Sequence, residues 1–275
     1  MEDQNIKINA LLKAVRESGA LVREAFLKGS ITDLDIKSNK SDIVTNIDTD
    51  VEKIISNCIR QYFPNVEVFS EESSEVGNIP FQEDNIAIID PLDGTSNFSL
   101  GIPYFSISIL IKEPQHKLAI IYNPVTEVLV LNQDGDQKFF LREESLLTEN
   151  LFTKKNDYSL SNLSFAVISG YSIPPQTTEP FLQHLYYSGV KRVMSNWSPA
   201  HDYLNLILRR FDCVISLSEE GFSEAAGLFL ARSSKEHKVA QIQKEMQSGS
   251  FAITVSAHQR CISQVENLIE RFSIL

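Results

Sequence analysis

The densest concentration of chemically capable side chains is the run Ile88-Ile89-Asp90-Pro91-Leu92-Asp93-Gly94-Thr95-Ser96-Asn97-Phe98. An apolar stretch, Ile86 to Ile89, ends in two carboxylates three residues apart. Pro91 fixes its own φ and donates no hydrogen bond, so the chain turns there and both acids can project into one small volume. Hard cations such as Mg²⁺ take oxygen ligands, commonly one or two carboxylates completed by water and substrate phosphate. Gly94, Thr95 and Ser96 add backbone N–H groups and hydroxyls suited to phosphate oxygens. A polar turn closing a strand uses the same residue types. The apolar strand, the proline and the Gly-Thr pair together favour chemistry over that plainer reading.

Two further acidic segments stand upstream. Ser70-Glu71-Glu72-Ser73 follows a short β-rich run and, by itself, reads as a solvated loop. Asp42-Ile43-Val44-Thr45-Asn46-Ile47-Asp48 opens an apolar periodic stretch, where Thr45 or Asn46 is suited to helix capping. The three cysteines, Cys58, Cys213 and Cys261, form no CxxC pair. They suit small core positions in a reducing, cytoplasmic compartment better than a disulfide framework or a zinc site. A net charge of -11 disfavours nucleic acid as a partner. It also means that a phosphorylated ligand needs a local positive source, for which bound divalent cations are the natural candidate. No run approaches the ~18–20 apolar residues of a membrane span, so no membrane partner is expected. Asn-x-Ser matches such as those at Asn97, Asn162 and Asn196 are chance occurrences in a cytoplasmic chain.

Taken in order and spacing, Asp42 to Asp48, Phe63-Pro64, Ser70-Glu71-Glu72-Ser73 and Asp90-Pro-Leu-Asp-Gly-Thr-Ser-Asn-Phe98 resemble the inositol monophosphatase family. The resemblance is clear from about residue 8 to 125 and traceable to about 255. It implies a layered α/β/α/β sugar-phosphatase fold and a magnesium-dependent phosphatase with two or three Mg²⁺ ions per site. By resemblance, Glu71, Asp90 and the Leu92 carbonyl hold the first metal, and Asp90 and Asp93 bridge to the second. Asp48, Thr95 and Glu71 orient and deprotonate the attacking water, while Leu92, Asp93, Gly94, Thr95 and Ser96 meet the substrate. Lys37 is placed near the rim, and the assembly is a homodimer.

The C-terminal part departs from that family's pattern. Where the family has Trp-Asp-x-Ala-Ala-Gly, this sequence has Phe222-Ser223-Glu224-Ala225-Ala226-Gly227, so a hydroxyl stands in place of a metal-binding carboxylate. Ser216 occupies a position that often carries a substrate-binding acid, and Trp197-Ser198 replaces a Gly-Ser pair. Glu219, Glu220 or Glu224 are candidate substitutes for the missing charge. Ser223 can also be read as an N-cap and Trp197 as a core filler. A weakened second metal position follows. The leading expectation is a phosphatase acting on a small phosphorylated polyol or sugar, inositol monophosphate by default. The alternatives are a catalytically impaired homologue that binds a phosphorylated ligand or protein partner, and a bisphosphate nucleotide or sugar phosphatase in which Trp197 stacks a base.

Composition (43% hydrophobic, 22% charged) supports a sizeable core to position these groups. Apolar spacing predicts helices over 4–28 and 46–63, ended by Gly29 and Pro64. β-rich runs at 66–69, 85–89, 105–111, 118–122, 128–131 and 138–141 predict an antiparallel sheet. Beyond residue 163, strands at 164–169, 191–193, 212–217 and 250–255 alternate with helices at 181–187, 199–209, 223–232 and 259–272. The expected organisation is an α/β (α+β) fold over 1–275. An antiparallel metal-site half (1–150) is joined to a mixed substrate-side half (151–275).

Overall fold

The computed structural model of the protein describes residues 2–29, 34–36, 43–74, 79–142, 144–145, 156–170, 173–217, 221–246 and 249–272. Asp42, Lys37, Glu219 and Glu220 lie outside them. Two helices open the chain, α1 (Glu2–Lys28) and α2 (Asn46–Tyr62), with the short antiparallel pair β1 (Leu34–Ile36) and β2 (Ile43–Thr45) between them. A seven-stranded sheet follows: β3 (Glu67–Ser70), β4 (Ile86–Asp93), β5 (Ser106–Lys112), β6 (Lys117–Asn123), β7 (Val128–Gln133), β8 (Asp136–Leu141) and β9 (Glu144–Ser145). The one-turn helix α3 (Thr95–Ser99) leaves the end of β4.

The second sheet has the order β11-β10-β12-β14-β13, built from β10 (Ser164–Ile168), β11 (Arg192–Met194), β12 (Cys213–Ser216), β13 (His237–Met246) and β14 (Gly249–His258). Helices α4 (Pro175–Tyr187), α5 (Pro199–Ile207), α6 (Phe222–Ser233) and α7 (Ile262–Glu270) accompany it.

Each layer exists because its apolar face must be covered. One face of the first sheet, including Ala87, Ile89, Ile107, Ile109 and Ile120, packs on Leu11, Val15, Val51, Ile55 and Ile59 of α1 and α2. Its opposite face, including Ile86, Ile88, Leu110 and Ile121, packs on Tyr203 and Leu204 of α5 and Ala225 and Leu230 of α6. The second sheet's outer face is covered by Phe181 and Leu185 of α4 and Val265 and Ile269 of α7. The expected α/β/α/β stack is therefore present, with α4 and α7 adding a further helical layer.

β1, β2, α3 and β9 were not in the sequence reading, α4 begins six residues earlier than expected, and two further features of the sheets differ from it. The first sheet is not wholly antiparallel, because β3 runs parallel to β4. Strand β13, absent from the sequence reading, pairs with β14 along ten residues at a sheet edge. Among the described residues no helix is long and apolar enough to cross a membrane.

Candidate active site

β4 is buried along its whole length, so its apolar residues serve two cores, and its last positions open the site. Its pairing with β5 shifts between Asp90, opposite Ser108, and Asp93, opposite Ser106. Pro91 and Leu92 form the irregularity, and the proline has no N–H to leave unpaired there. The shift gathers the two acids at the strand end. The Leu92 N–H donates to Asp90 Oδ1 at 3.1 Å and the Ser106 hydroxyl to Asp93 Oδ2 at 3.2 Å.

Gly94 then has φ +90, and a Cβ there would stand 2.9 Å from both Ser198 Cβ and the Tyr104 carbonyl oxygen. Only glycine combines that torsion with so close an approach.

The site has a buried floor and a half-buried rim. Asp48, Asp90 and Asp93 are each no more than 2% exposed. Glu71, Gly94, Thr95, Ser96 and Ser223 are partly open above them. The Glu71 N–H donates to the Ile89 carbonyl at 3.1 Å, extending the β3–β4 ladder by one residue and carrying Glu71 to Asp90. The two carboxyl groups share a hydrogen bond. Thr95 Oγ1 lies 2.9 Å from both Asp48 Oδ1 and the Leu92 carbonyl. A sequence separation of 47 is thus closed by one hydroxyl.

Burial, then the neighbouring Asp93, pushes the Asp90 carboxyl up to about 8, against hydrogen bonds from Ser223 and Glu71 that hold it down. Burial likewise raises Asp93 to about 8, opposed by Ser198 and the His201 amide and reinforced by Glu71 and Asp202. Acids crowded in this way require protons or a cation between them.

The second half of the chain meets the first at Asp93. Ser198 donates its hydroxyl to Asp93 Oδ2 at 2.5 Å, and the His201 N–H donates to the same oxygen at 3.1 Å. Asp93 thereby caps α5 in place of Ser198, whose side chain makes no cap bond. His201 is buried and held neutral, its pKa lowered to about 4 chiefly by burial, and its Nδ1 lies 3.0 Å from the Phe105 carbonyl.

Behind α5, buried Asp202 accepts from Tyr104 OH at 2.6 Å and from Asn196 Nδ2 at 2.7 Å. Asn97 Nδ2 donates to the carbonyls of Asn196 (2.7 Å) and Tyr104 (2.8 Å), pinning the loop that carries Trp197. None of Tyr104, His201, Asp202 and Asn205 was singled out by the sequence. The nearest signal was the polar face of α5, which is buried here.

Ser223 is not an N-cap. Gly221 holds that position, and Ser223 Oγ donates to Asp90 Oδ2 at 2.5 Å. The residue standing where the resemblance placed a metal-binding acid therefore reaches the expected partner as a neutral donor. Glu224 is buried on the same helix, and Ser216 Oγ donates to its Oε1 at 3.1 Å. Trp197 is not a core filler, because it is 63% exposed with φ +56. Cys213 and Cys261 are buried, and Cys58 is half-buried.

Among the described residues, no group of three or more His, Cys, Asp or Glu stands ready as a metal cluster. The donor chemistry nevertheless fits a hard cation. Asp93 Oδ1 is buried without a hydrogen-bond partner, and Asp90 and Glu71 are in carboxyl-to-carboxyl contact. The fit is better at Glu71 and Asp90 than beside Asp93, where three protein donors share Oδ2 and Ser223 adds no charge.

A layered α/β fold with acids at the end of a buried strand defines a class, and the family comparison agrees. The chain belongs to the inositol monophosphatase family, whose model matches residues 3–233. It is 31% identical over 145 residues to the fructose-1,6-bisphosphatase/inositol-1-monophosphatase of Thermotoga maritima, covering 52% of this chain and 54% of that protein. It is 33% identical over 134 residues to Nus factor SuhB of Pasteurella multocida, covering 48% and 49%. The chain thus spans about half the length of the curated relatives it matches. Over nearly the whole chain, the fold is that of the SuhB protein of Bartonella henselae. Their TM-score is 0.77 at 21% identity, with 97% of this chain and 99% of that one covered.

Proposed function

We propose that this protein is a Mg²⁺-dependent phosphomonoesterase for a small polyol or sugar phosphate, with a strong first cation position and a weak second one. The observation that carries this reading is the contact between the buried Asp90 and the Glu71 carboxyl, crowded further by Asp93 and Asp48. Membership of the family supports it. Glu71, Asp90 and the Leu92 carbonyl are the groups to hold the first cation, with Asp93 Oδ1 available to a second. A bound divalent cation supplies a lowered water pKa and charge neutralisation for phosphate.

The chain's own residues supply the rest. Asp48 and the Leu92 carbonyl are both within reach of the one Thr95 hydroxyl proton, and donation to Asp48 would leave Thr95 Oγ1 lone pairs to orient an attacking water. The Gly94–Ser96 turn offers amides and a hydroxyl to phosphate oxygens. Asp93, fixed by Ser106, Ser198 and His201, holds that turn against α5.

A second reading, a phosphate-ester binder with little turnover, is favoured by one observation: Ser223 donates to Asp90 where an additional anion would strengthen cation binding. The experiment measures phosphate release with Mg²⁺ from inositol, sugar and nucleotide phosphates. Calorimetric titration of the same ligands, with and without EDTA, runs beside it. Mg²⁺-dependent release supports the enzyme, and Mg²⁺-dependent binding without release supports the binder. Affinity unchanged in EDTA sinks both, because a protein of net charge -11 then binds phosphate by some other means.

A further inference from the structure

We propose that Asp202 is a positioning residue for phosphate, because it braces the two walls between which the Gly94–Ser96 turn is set. The proposal rests on reading that turn as the phosphate seat. A Cβ on Gly94 would meet the Tyr104 carbonyl oxygen and Ser198 Cβ, each at 2.9 Å. The turn is thus wedged between the segments that carry these two residues, and a shift of either wall reshapes the seat.

Two side chains tie the walls to each other. Next to the turn, Asn97 Nδ2 donates to the Tyr104 and Asn196 carbonyls. From α5, Asp202 Oδ1 accepts from Tyr104 OH at 2.6 Å and from Asn196 Nδ2 at 2.7 Å. One carboxylate oxygen therefore joins segments 92 positions apart. The Tyr104 ring also stacks on His201, with centroids 4.0 Å apart, so residues 201 and 202 grip it together. At the same end of α5, the Ser198 hydroxyl and the His201 N–H hold Asp93.

The brace is kept at a cost. Asp202 is 1% exposed, and burial raises its carboxyl to about 7 against the hydrogen bonds from Tyr104 and Asn196. A buried ionisable group is unfavourable unless it is hydrogen-bonded, and the bonds Asp202 makes are those that join the walls. Tyr104 stays a donor, its phenol pushed up by burial and then by Asp202. Strain in the second wall points the same way. Trp197, between Asn196 and Ser198, lies at φ +56, unfavourable for a bulky L-residue. Such a backbone persists only where its surroundings over-determine it. Release of Asn196 from Asp202 lets the segment relax, which shifts Ser198 against Gly94.

The test titrates inorganic phosphate into the full chain in Mg²⁺ by calorimetry. Asp202→Leu and Tyr104→Phe each bind phosphate about three- to tenfold more weakly than wild type, the loss of one buried hydrogen bond passed on to the seat. Combined, they lose no more than Asp202→Leu alone, because one oxygen carries both effects. Asp202→Asn, which keeps an oxygen for both donors, restores most of the affinity. Without phosphate, the Mg²⁺ midpoint of thermal unfolding stays within about twofold of wild type in every variant, because Glu71 and Asp90 lie outside the brace. Wild-type phosphate affinity in Tyr104→Phe, whatever its melting temperature, overturns the brace and leaves the seat intact. Tighter binding in Asp202→Asn overturns it too, because the charge of Asp202 rather than its bonds then acts on phosphate. These two variants decide the matter alone if Asp202→Leu does not fold. Wild type that fails to bind phosphate overturns seat and brace together.

Discussion

Replacing Ser223 by aspartate tests how the site manages its charge. Ser223 Oγ is 2.5 Å from Asp90 Oδ2, so a carboxylate at 223 faces Asp90 at about 4 Å after relaxation. Two unit charges at about 4 Å and an effective dielectric of about 20 repel by about 4 kcal/mol. Asp90 escapes this while it keeps the proton that burial has already raised to about 8. The cost is therefore small near pH 6 and grows by about 1.4 kcal/mol for each pH unit above 8, because keeping the proton on Asp90 avoids the rest. At pH 9, in EDTA, this amounts to about 1.4 kcal/mol, and the melting temperature of Ser223→Asp falls by about 3–6 °C relative to wild type, at about 2–4 °C per kcal/mol for a chain of this size. Mg²⁺ reverses the sign, because the added anion attracts the cation. Half-maximal stabilisation, and half-maximal phosphate release if the protein is an enzyme, then needs at least about tenfold less Mg²⁺, equivalent to about 1.4 kcal/mol. Glu224→Gln, whose side chain meets Ser216, leaves the Mg²⁺ requirement within about twofold of wild type. The assay is thermal unfolding across a Mg²⁺ series at pH 6 and pH 9. A Ser223→Asp variant with wild-type melting in EDTA at pH 9 and an unchanged Mg²⁺ midpoint refutes the reasoning. A Glu224→Gln variant that loses its Mg²⁺ response shows instead that the ligand lies one residue along α6.

Asp90→Asn and Asp93→Asn each remove a charge at nearly constant shape. Phosphate release falls by about 10²-fold or more while circular dichroism stays native, and unchanged turnover in both disproves the metal-phosphatase reading. Without metal, Asp90 and Asp93 keep protons that the unfolded chain has released. Stability in EDTA therefore falls as pH rises from about 4 to about 8 and levels off above. Saturating Mg²⁺ flattens this slope, and parallel curves with and without Mg²⁺ contradict it. Gly227→Ala places a Cβ 2.3 Å from Tyr203 Cγ between α6 and α5, costing about 1–3 kcal/mol of overpacking. Urea unfolding with an unaltered midpoint counts against that packing.

The parts legible in the sequence were those whose causes are local. The run Ile86 to Ile89, ending at Asp90-Pro91, announces a strand covered on both faces and abruptly stopped, which is β4. Period-3.6 apolar stripes marked α1 and α2 to within about two residues. Strand direction is not local, and nothing in residues 66–70 states that β3 pairs parallel to β4. β13 was missed because an edge strand needs one covered face only, so Lys238, Gln241, Gln243 and Lys244 dilute its alternation. At the site, Asp48, Glu71, Asp90, Asp93 and Thr95 were named through the motifs and the family resemblance they carry, and the fold gathers them at the end of β4. Their fastening to Ser198, His201 and Ser223 joins residues more than a hundred positions apart, which no window along the chain can reveal.

Asp93 ends β4 and also holds the first turn of α5. One carboxylate thus faces two claimants, a cation and an amide, and satisfying one alters the hold on the other. A cation held at Asp93 would draw charge away from the oxygen that accepts the His201 N–H, and that amide would then exchange with solvent faster. From His201, α5 runs on to Tyr203, which lies against Gly227 of α6, the helix that carries Ser223 back to Asp90. The seating of both helices is thus tied to one carboxylate, and a single backbone amide, at His201, would read out any ion that claimed it.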